Sequence, residues 1–314
     1  MTLQQLEYIT AVDRLHHFGR AAEHCHVTQP TLSAMVQKLE NELGVKIFDR
    51  TTQPVTTTPI GRKIVAQAWR VINGATKIEE IVDEERHSLG GRTFRLGILP
   101  TVAPYLLPRF FPQLLDAHPE LDIRVTEMKT KEIRNALDRG TLDAAILVKT
   151  DDIEQLSALN SQLSTLYYEQ FLVYVAQGDA LYSNKSIRAA DLADEFLWLL
   201  GEGHCFRDQM MKFCELQGAV NSTTTYSLGS LETFMRMVES GKGVTFIPEL
   251  ALEQLSAAQR ALVRPFAIPI PVREVIMLTA PAFVRQSLLQ LLIDSIRACV
   301  PPAMLTLNTT EQRI

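Results

Sequence analysis

The stretch from residue 20 to residue 44 narrows the choice of folds more than any other part of this chain. Arg20-Ala21-Ala22-Glu23-His24-Cys25 reads as a short helix of small residues, the kind that lets another helix pack closely. Thr28-Gln29-Pro30-Thr31 then supplies an N-cap hydroxyl and a proline in the first turn, both helix-start signals. The helix so opened carries Leu32, Met35, Val36, Leu39 and Leu43 on one stripe and stops at Gly44. Gln29, Thr31, Ser33, Gln37 and Lys38 fall off that stripe. Upstream, Leu3, Leu6, Ile9, Thr10, Val12 and Phe18 outline a first helix, and the Thr-rich, β-branched segment 45–59 predicts a two-stranded wing. Residues 1–58 thus read as a winged helix-turn-helix, an architecture that places the first turn of its second helix against DNA bases.

Charge alone would not lead there. The chain carries a net −5, and residues 1–65 hold seven Lys/Arg against six Asp/Glu, a difference of only +1. The DNA-binding expectation comes from pattern. Gln29 suits bidentate pairing with adenine, whereas hydroxyls and Arg50 suit phosphates.

From Pro59 a long helix is expected to about Ser88, ending at Gly90-Gly91. Ile64, Ala68, Val71, Ala75, Ile78 and Val82 recur along it at heptad spacing, a dimerisation seam; packing on its own domain would produce the same pattern. Beyond it, strand and helix alternate. Strands are predicted over 94–99, 122–128, 142–148, 171–175, 196–200, 224–227, 244–247 and 275–279. Helices are predicted over 105–117, 131–139, 206–217, 230–239 and 286–300. This is an α/β pattern, and about 220 residues of it more naturally make two lobes than one. The domain reading is 1–58 for the head, 59–90 for the linker helix, 91–163 with 268–300 for lobe I, 164–267 for lobe II and 301–314 for a C-terminal tail.

No apolar run approaches the roughly 18 residues of a membrane span. The N-terminal segment lacks a basic n-region and an apolar h-region, so the chain is expected in the cytoplasm, where its four cysteines are reduced at rest. Two of them, Cys25 and Cys299, read as packing residues. His16, His17, His24 and His26 have no metal-ligand company, and neither metal nor cofactor is expected.

Cys205 stands apart. Gly201-Glu202-Gly203 breaks a strand just before it and a helix is expected just after, so the thiol sits at a helix N-terminus, with His204 and Arg207 beside it. Dipole and cations there favour a thiolate. Lowering a pKa from about 8.5 to about 6 raises the ionised fraction only some 30-fold at pH 7. Ionisation alone therefore does not make a fast redox thiol, and donors placed around the sulfur must add to it. Thr101, in a loop after a strand, lies where α/β folds bind ligands.

Three stretches converge on a known family. Arg20-Ala21-Ala22, Thr28 through Ser33, and Leu39-Glu40-Asn41-Glu42-Leu43-Gly44-Val45-Lys46-Ile47-Phe48-Asp49-Arg50 resemble the DNA-binding head of LysR-type transcriptional regulators. The rest of the chain is similar to that family's linker helix and its two-lobed effector domain, which itself resembles periplasmic binding proteins. Leu99 through Pro108, Gly203-His204-Cys205-Phe206-Arg207-Asp208-Gln209 with Phe213-Cys214, Ser230-Leu231-Glu232-Thr233 and Gly241-Lys242-Gly243-Val244-Thr245 are similar to peroxide-sensing members.

The resemblance implies that Cys205 is the sensing thiol and Cys214 its disulfide partner, with Thr101, Thr130, His204, Arg207, Asp208 and Arg273 around them. It implies DNA contacts from Arg20, Thr28, Gln29, Pro30, Thr31, Ser33, Gln37, Lys38 and Arg50. The implied partners are a double-stranded operator, hydrogen peroxide as signal, a second copy or a tetramer of the chain, and RNA polymerase. Two other readings stand beside it: a regulator of the same family gated by a small organic ligand, and a thiol peroxidase or oxidoreductase. The head argues against an enzyme, as does the lack of any Cys-x-x-Cys.

Overall fold

A computed structural model describes the chain apart from residues 86–88, 90–91, 151–152, 154–160, 194, 202, 217–229 and 282. The strand expected at 224–227, the Gly90-Gly91 stop and the far end of the linker helix lie outside the described residues. The chain separates into two compact units, Met1–Ser88 and Leu89–Ile314.

In the first unit, helices α1 (Leu3–Leu15), α2 (Phe18–His24) and α3 (Gln29–Leu43) precede a two-stranded antiparallel wing, β1 (Phe48–Asp49) and β2 (Thr56–Thr57). Leu6, Ile9 and Val12 meet Leu32, Val36 and Leu39 in one core. Two residues of the expected first stripe behave differently: Leu3 is exposed, and Phe18 opens α2. A side chain in the first turn lies beyond the packed face, and His16 has already ended α1 in the left-handed region at φ 51°. Gly44 closes α3 with φ 70°, a conformation glycine adopts without strain.

Helix α4 (Pro59–Glu85) begins in the same core, where Val65 and Ala68 are buried. The heptad seam therefore divides. Ala68 is packed into its own head and Ile64 packs partly against that core, while Val71, Ile78 and Val82 remain 42%, 67% and 43% exposed. Packing on its own domain accounts for the first turns of the helix, and the exposed residues are left for another surface.

The second unit is built on a mixed sheet that curls. Strands β3 (Phe94–Ile98), β4 (Ile123–Glu127) and β5 (Ala144–Val148) run parallel in the order β4-β3-β5. Helices α5 (Ala103–Ala117) and α6 (Thr130–Asp138) connect them. β6 (Leu163–Val175) joins two halves. Its residues 163–170 pair with β9 (Ile270–Thr279), which also pairs β5, and its residues 171–175 pair with β7 (Val244–Pro248). Residues 172–174 also pair with β8 (Val263–Pro265). Helices α7 (Cys205–Leu216), α8 (Leu231–Glu239) and α9 (Gln286–Cys299) complete the α/β arrangement.

The strand expected at 196–200 reduces to a single bridge, Leu197 to Val244. The segment past residue 300 adds β10 (Glu311–Arg313) alongside residues 270–272. Among the described residues no helix is long and apolar enough to cross a membrane.

Candidate functional site

Three chain turns meet at Cys205. β3 ends at Ile98, and backbone N–H groups of Val102 and Ala103 both donate to the Leu99 carbonyl, a tight turn that leaves Thr101 buried just ahead of α5. β4 ends at Glu127, and Thr130 is the first residue of α6. Gly203, at φ 83°, turns the chain so that Cys205 becomes the first residue of α7. Leu99, Thr101, Lys129, Thr130, His204, Cys205 and Phe206 line one narrow crevice with no room for a water-sized molecule. The starts of three helices thus converge, each with a partial positive charge that favours anions.

Arg273, on β9, reaches in from below. Its Nη1 donates to Thr101 Oγ1 at 3.2 Å and its Nη2 to the Thr101 carbonyl at 2.9 Å. Its charge is matched by Glu169 of β6, whose Oε2 accepts from Nε at 2.8 Å and lies 2.7 Å from Nη2. Arg273 and Glu169 are each 1% exposed. The guanidinium also lies 5.2 Å from the ring centre of Phe206, the residue after the thiol. The Thr130 hydroxyl is buried, has no nitrogen or oxygen partner among the described residues, and acts on the Cys205 sulfur, whose ionised form it favours.

The electrostatics correct the expectation of a thiolate at rest. Burial pushes the Cys205 thiol above its ordinary value, against the opposing pull of Thr130, Arg273 and the Phe206 N–H. Asp208 raises it further. His204 does not supply a positive charge, because burial and nearby Lys129 hold its pKa below the usual histidine value. The cation acting on the sulfur is Arg273. Arg207 is half-buried and Asp208 exposed, both in the first turn of α7.

Cys214 lies in the same helix, buried beside Met210 and Phe213, and burial pushes its thiol up to about 11. α7 is unbroken between the two cysteines, so nine residues at 1.5 Å each separate them by about 13 Å along the axis. All four cysteines are free. Between the two on α7, buried Gln209 donates from Nε2 to the Ile314 carbonyl at 2.6 Å, tying the helix to the segment after β10. Cys299 is half-buried and donates to the Ile296 carbonyl, and Cys25 caps the end of α2.

Glu169 and Gln209 were not picked out from the sequence. The signal for Glu169 was an acidic residue next to Gln170 inside an otherwise apolar run, which calls for a buried cation.

In the head, Arg20, Gln29, Pro30, Thr31, Gln37 and Lys38 are exposed and Ser33 is half-buried. Thr28 caps α3, accepting from Thr31 N–H at 3.4 Å, and the two hydroxyls lie 2.9 Å apart. Arg50 is more committed than a free phosphate ligand. Its Nη2 reaches buried Glu40 at 3.3 Å, its Nη1 donates to Ser33 at 3.1 Å, and its guanidinium covers the Phe18 ring. His17 caps α2, its Nδ1 accepting from Gly19 and Arg20 N–H groups.

Residues 3–62 match the bacterial regulatory helix-turn-helix protein family, lysR family, and residues 87–300 match the LysR substrate binding domain. The chain is 34% identical over 297 residues to the hydrogen peroxide-inducible genes activator of Dickeya chrysanthemi, covering 95% of each. A full-length OxyR variant from Pseudomonas aeruginosa is similar at TM-score 0.78 and 38% identity, over 96% of this chain and 99% of that one. An OxyR cysteine variant from Corynebacterium glutamicum, solved with hydrogen peroxide bound, is similar at TM-score 0.62 and 26% identity over 98% of both chains.

Proposed function

This chain belongs to the LysR family of bacterial transcription regulators, and from that premise we propose that it couples hydrogen peroxide to transcription through oxidation of Cys205. The observation that carries the reading is the buried thiol at the start of α7, held between Thr130 and the Arg273–Thr101 pair. Similarity to proteins named for peroxide induction, and to an OxyR with peroxide bound, supports the signal.

The chemistry balances with no further reactant. The Cys205 sulfur attacks one oxygen of hydrogen peroxide, the O–O bond breaks, and the departing hydroxide takes a proton to leave as water. Cys205 becomes a sulfenic acid. The Cys214 sulfur then displaces that hydroxyl, a disulfide forms and a second water leaves. The resting thiol is protonated because it is buried. An opening that admits peroxide removes the cause of the raised pKa and leaves the helix start, Thr130 and Arg273 to favour the thiolate.

The second step requires movement. A disulfide needs Cα atoms within about 7 Å, so α7 must break before Cys214 arrives. Extracting Cys214 from beside Met210 and Phe213 exposes apolar surface, which raises the reduction potential and keeps the bond reversible in a reducing cytoplasm. The altered effector unit then changes how the heads of a dimer or tetramer, joined through the exposed residues of α4, meet the operator and RNA polymerase.

Thiol labelling before and after peroxide, read by peptide mass, tests this. Cys205→Ser is expected to abolish the response, and Cys214→Ser to stop it at the sulfenic acid or beyond. A bridge from Cys205 to Cys25 or Cys299 would overturn the assignment.

A second reading has its own observation. A cavity of about 830 Å3 beside Cys205 is lined by Lys131, Arg134, Lys149, Lys212 and Arg313 along with Asp138 and Asp208, a setting for a small organic anion. A ligand-dependent DNA footprint that persists with both Cys205 and Cys214 replaced would favour it.

A further inference from the structure

We propose that Glu169 is a positioning residue for the oxidation of Cys205: its carboxylate holds Arg273 in the orientation that directs the Thr101 hydroxyl into the crevice at the thiol. The proposal rests on the reading of Cys205 as the peroxide target.

Glu169 and Arg273 are direct cross-strand partners in the β6–β9 ladder, so the backbone register itself brings the two charges together. Neither reaches solvent. Glu169 Oε2 takes the Nε and Nη2 side of the guanidinium, while Oε1 accepts from the Leu250 N–H at 3.0 Å. The carboxylate is therefore pinned at both oxygens, one to β9 and one to the segment after β7.

A guanidinium is planar and its donors fork in fixed directions. Fixing its Nε edge fixes Nη1, and Nη1 donates to Thr101 Oγ1. With that lone pair engaged by Arg273, the hydroxyl proton of Thr101 is left for donation on the far side from the cation, and Thr101 lines the crevice together with Cys205 and Thr130. That is where a hydroxide would leave peroxide when the sulfur attacks. Glu169 touches neither the thiol nor the crevice; it acts through Arg273 and Thr101.

The setting of Glu169 in β6 adds to the argument. The carboxylate sits two residues before Phe171, where β6 passes from its pairing with β9 to its pairing with β7. A rearrangement of one half of the sheet against the other would be felt first at this ion pair.

A double-mutant cycle on the full-length reduced protein separates positioning from stability. Hydrogen peroxide is the probe, and Cys205 oxidation is timed by rapid quenching and peptide mass. Glu169→Gln, which keeps the size and removes the charge, is expected to slow oxidation severalfold, up to the roughly tenfold loss expected for Thr101→Val. In a Thr101→Val background the same substitution is expected to change the rate less than twofold, because the hydroxyl it orients is gone. An equal fold-loss in both backgrounds would assign Glu169 to stability alone, and an unchanged rate in the parent would remove it from the site; either result overturns the proposal. Should Glu169→Gln fail to fold, Glu169→Asp, which keeps the charge on a shorter arm, runs through the same cycle with the same criteria. If Cys205 is not the peroxide target, the parent protein itself shows no peroxide-dependent change at Cys205, an outcome distinct from both.

Discussion

Helix α3 and helix α7 both begin with the residues that carry their chemistry, yet one presents its first turn to solvent and the other hides it. On α3, Gln29, Pro30 and Thr31 are exposed, and Thr28 has already satisfied the cap. Such a surface is open to a partner as it stands. On α7, Cys205 and Phe206 are buried, burial keeps the thiol protonated, and the crevice holds no space for the reactant. A recognition helix gains from rigidity, because every side chain ordered in advance is one not ordered on binding. A sensor helix must be able to open, and the contacts that opening would break include the crevice, the hydrogen bond from Gln209 to Ile314 and the apolar face around Cys214.

The sharpest break between the two helices is expected at alkaline pH. Burial pushes the Cys214 thiol up to about 11, which corresponds to roughly 3 kcal/mol of stability that depends on the thiol staying protonated. A pKa raised on folding gives stability that is complete below pH 9 and is lost as pH climbs through 11. Melting temperature should fall across that window in the parent and fall less in Cys214→Ala. Identical slopes would mean that Cys214 is not dry in solution.

On the exposed helix the expected effect is on selectivity. Gln29→Ala should cost about 1–3 kcal/mol of base discrimination at one operator position and leave the melting temperature within the small range of surface substitutions. Equal weakening on operator and random DNA would show that Gln29 is no base reader.

At the buried site, Thr101→Val should slow Cys205 oxidation about tenfold, the rate equivalent of about 1.4 kcal/mol for one lost donor. DNA affinity of the reduced form should be unchanged. Oxidation at the parent rate would take Thr101 out of the reaction.

The smallest effect blurs the contrast usefully. Arg50→Ala should weaken binding to all DNA sequences and reduce its salt dependence. It should also destabilise the head by about 1 kcal/mol, since Glu40 is buried but keeps the Ile47 and Phe48 N–H groups and Lys46 as partners. Denaturant midpoints against DNA titrations separate the two contributions.

Much of the fold was legible because local signals and tertiary packing agree. Thr28, Pro30 and Gly44 bound α3, Ser230 caps α8, and the 94–99, 122–128 and 142–148 runs each contain a parallel strand. Legibility failed where partners lie far along the chain. Residues 163–170 pair with β9 despite Glu169 and Gln170, because Arg273 and Glu311 satisfy those polar groups from more than 100 positions away. The 196–200 run looks like a strand in isolation, yet only Leu197 finds a bridge. At the site, the cysteine was marked by its own neighbours, whereas Arg273 entered through resemblance and Glu169 not at all.

What the sequence determined alone is whatever depends on spacing within a dozen residues. Caps, stripes and the nine-residue gap between Cys205 and Cys214 follow from helical geometry, and that gap already forbids a disulfide on an intact α7. What only the tertiary structure decided is the solvation of those groups. The same cysteine at the same helix start would be acidic if exposed, and here burial holds it protonated although Thr130 and Arg273 pull the other way. A sequence lists charges and dipoles; the free energy of ionising a thiol also depends on how much water remains beside it, and only packing removes that water.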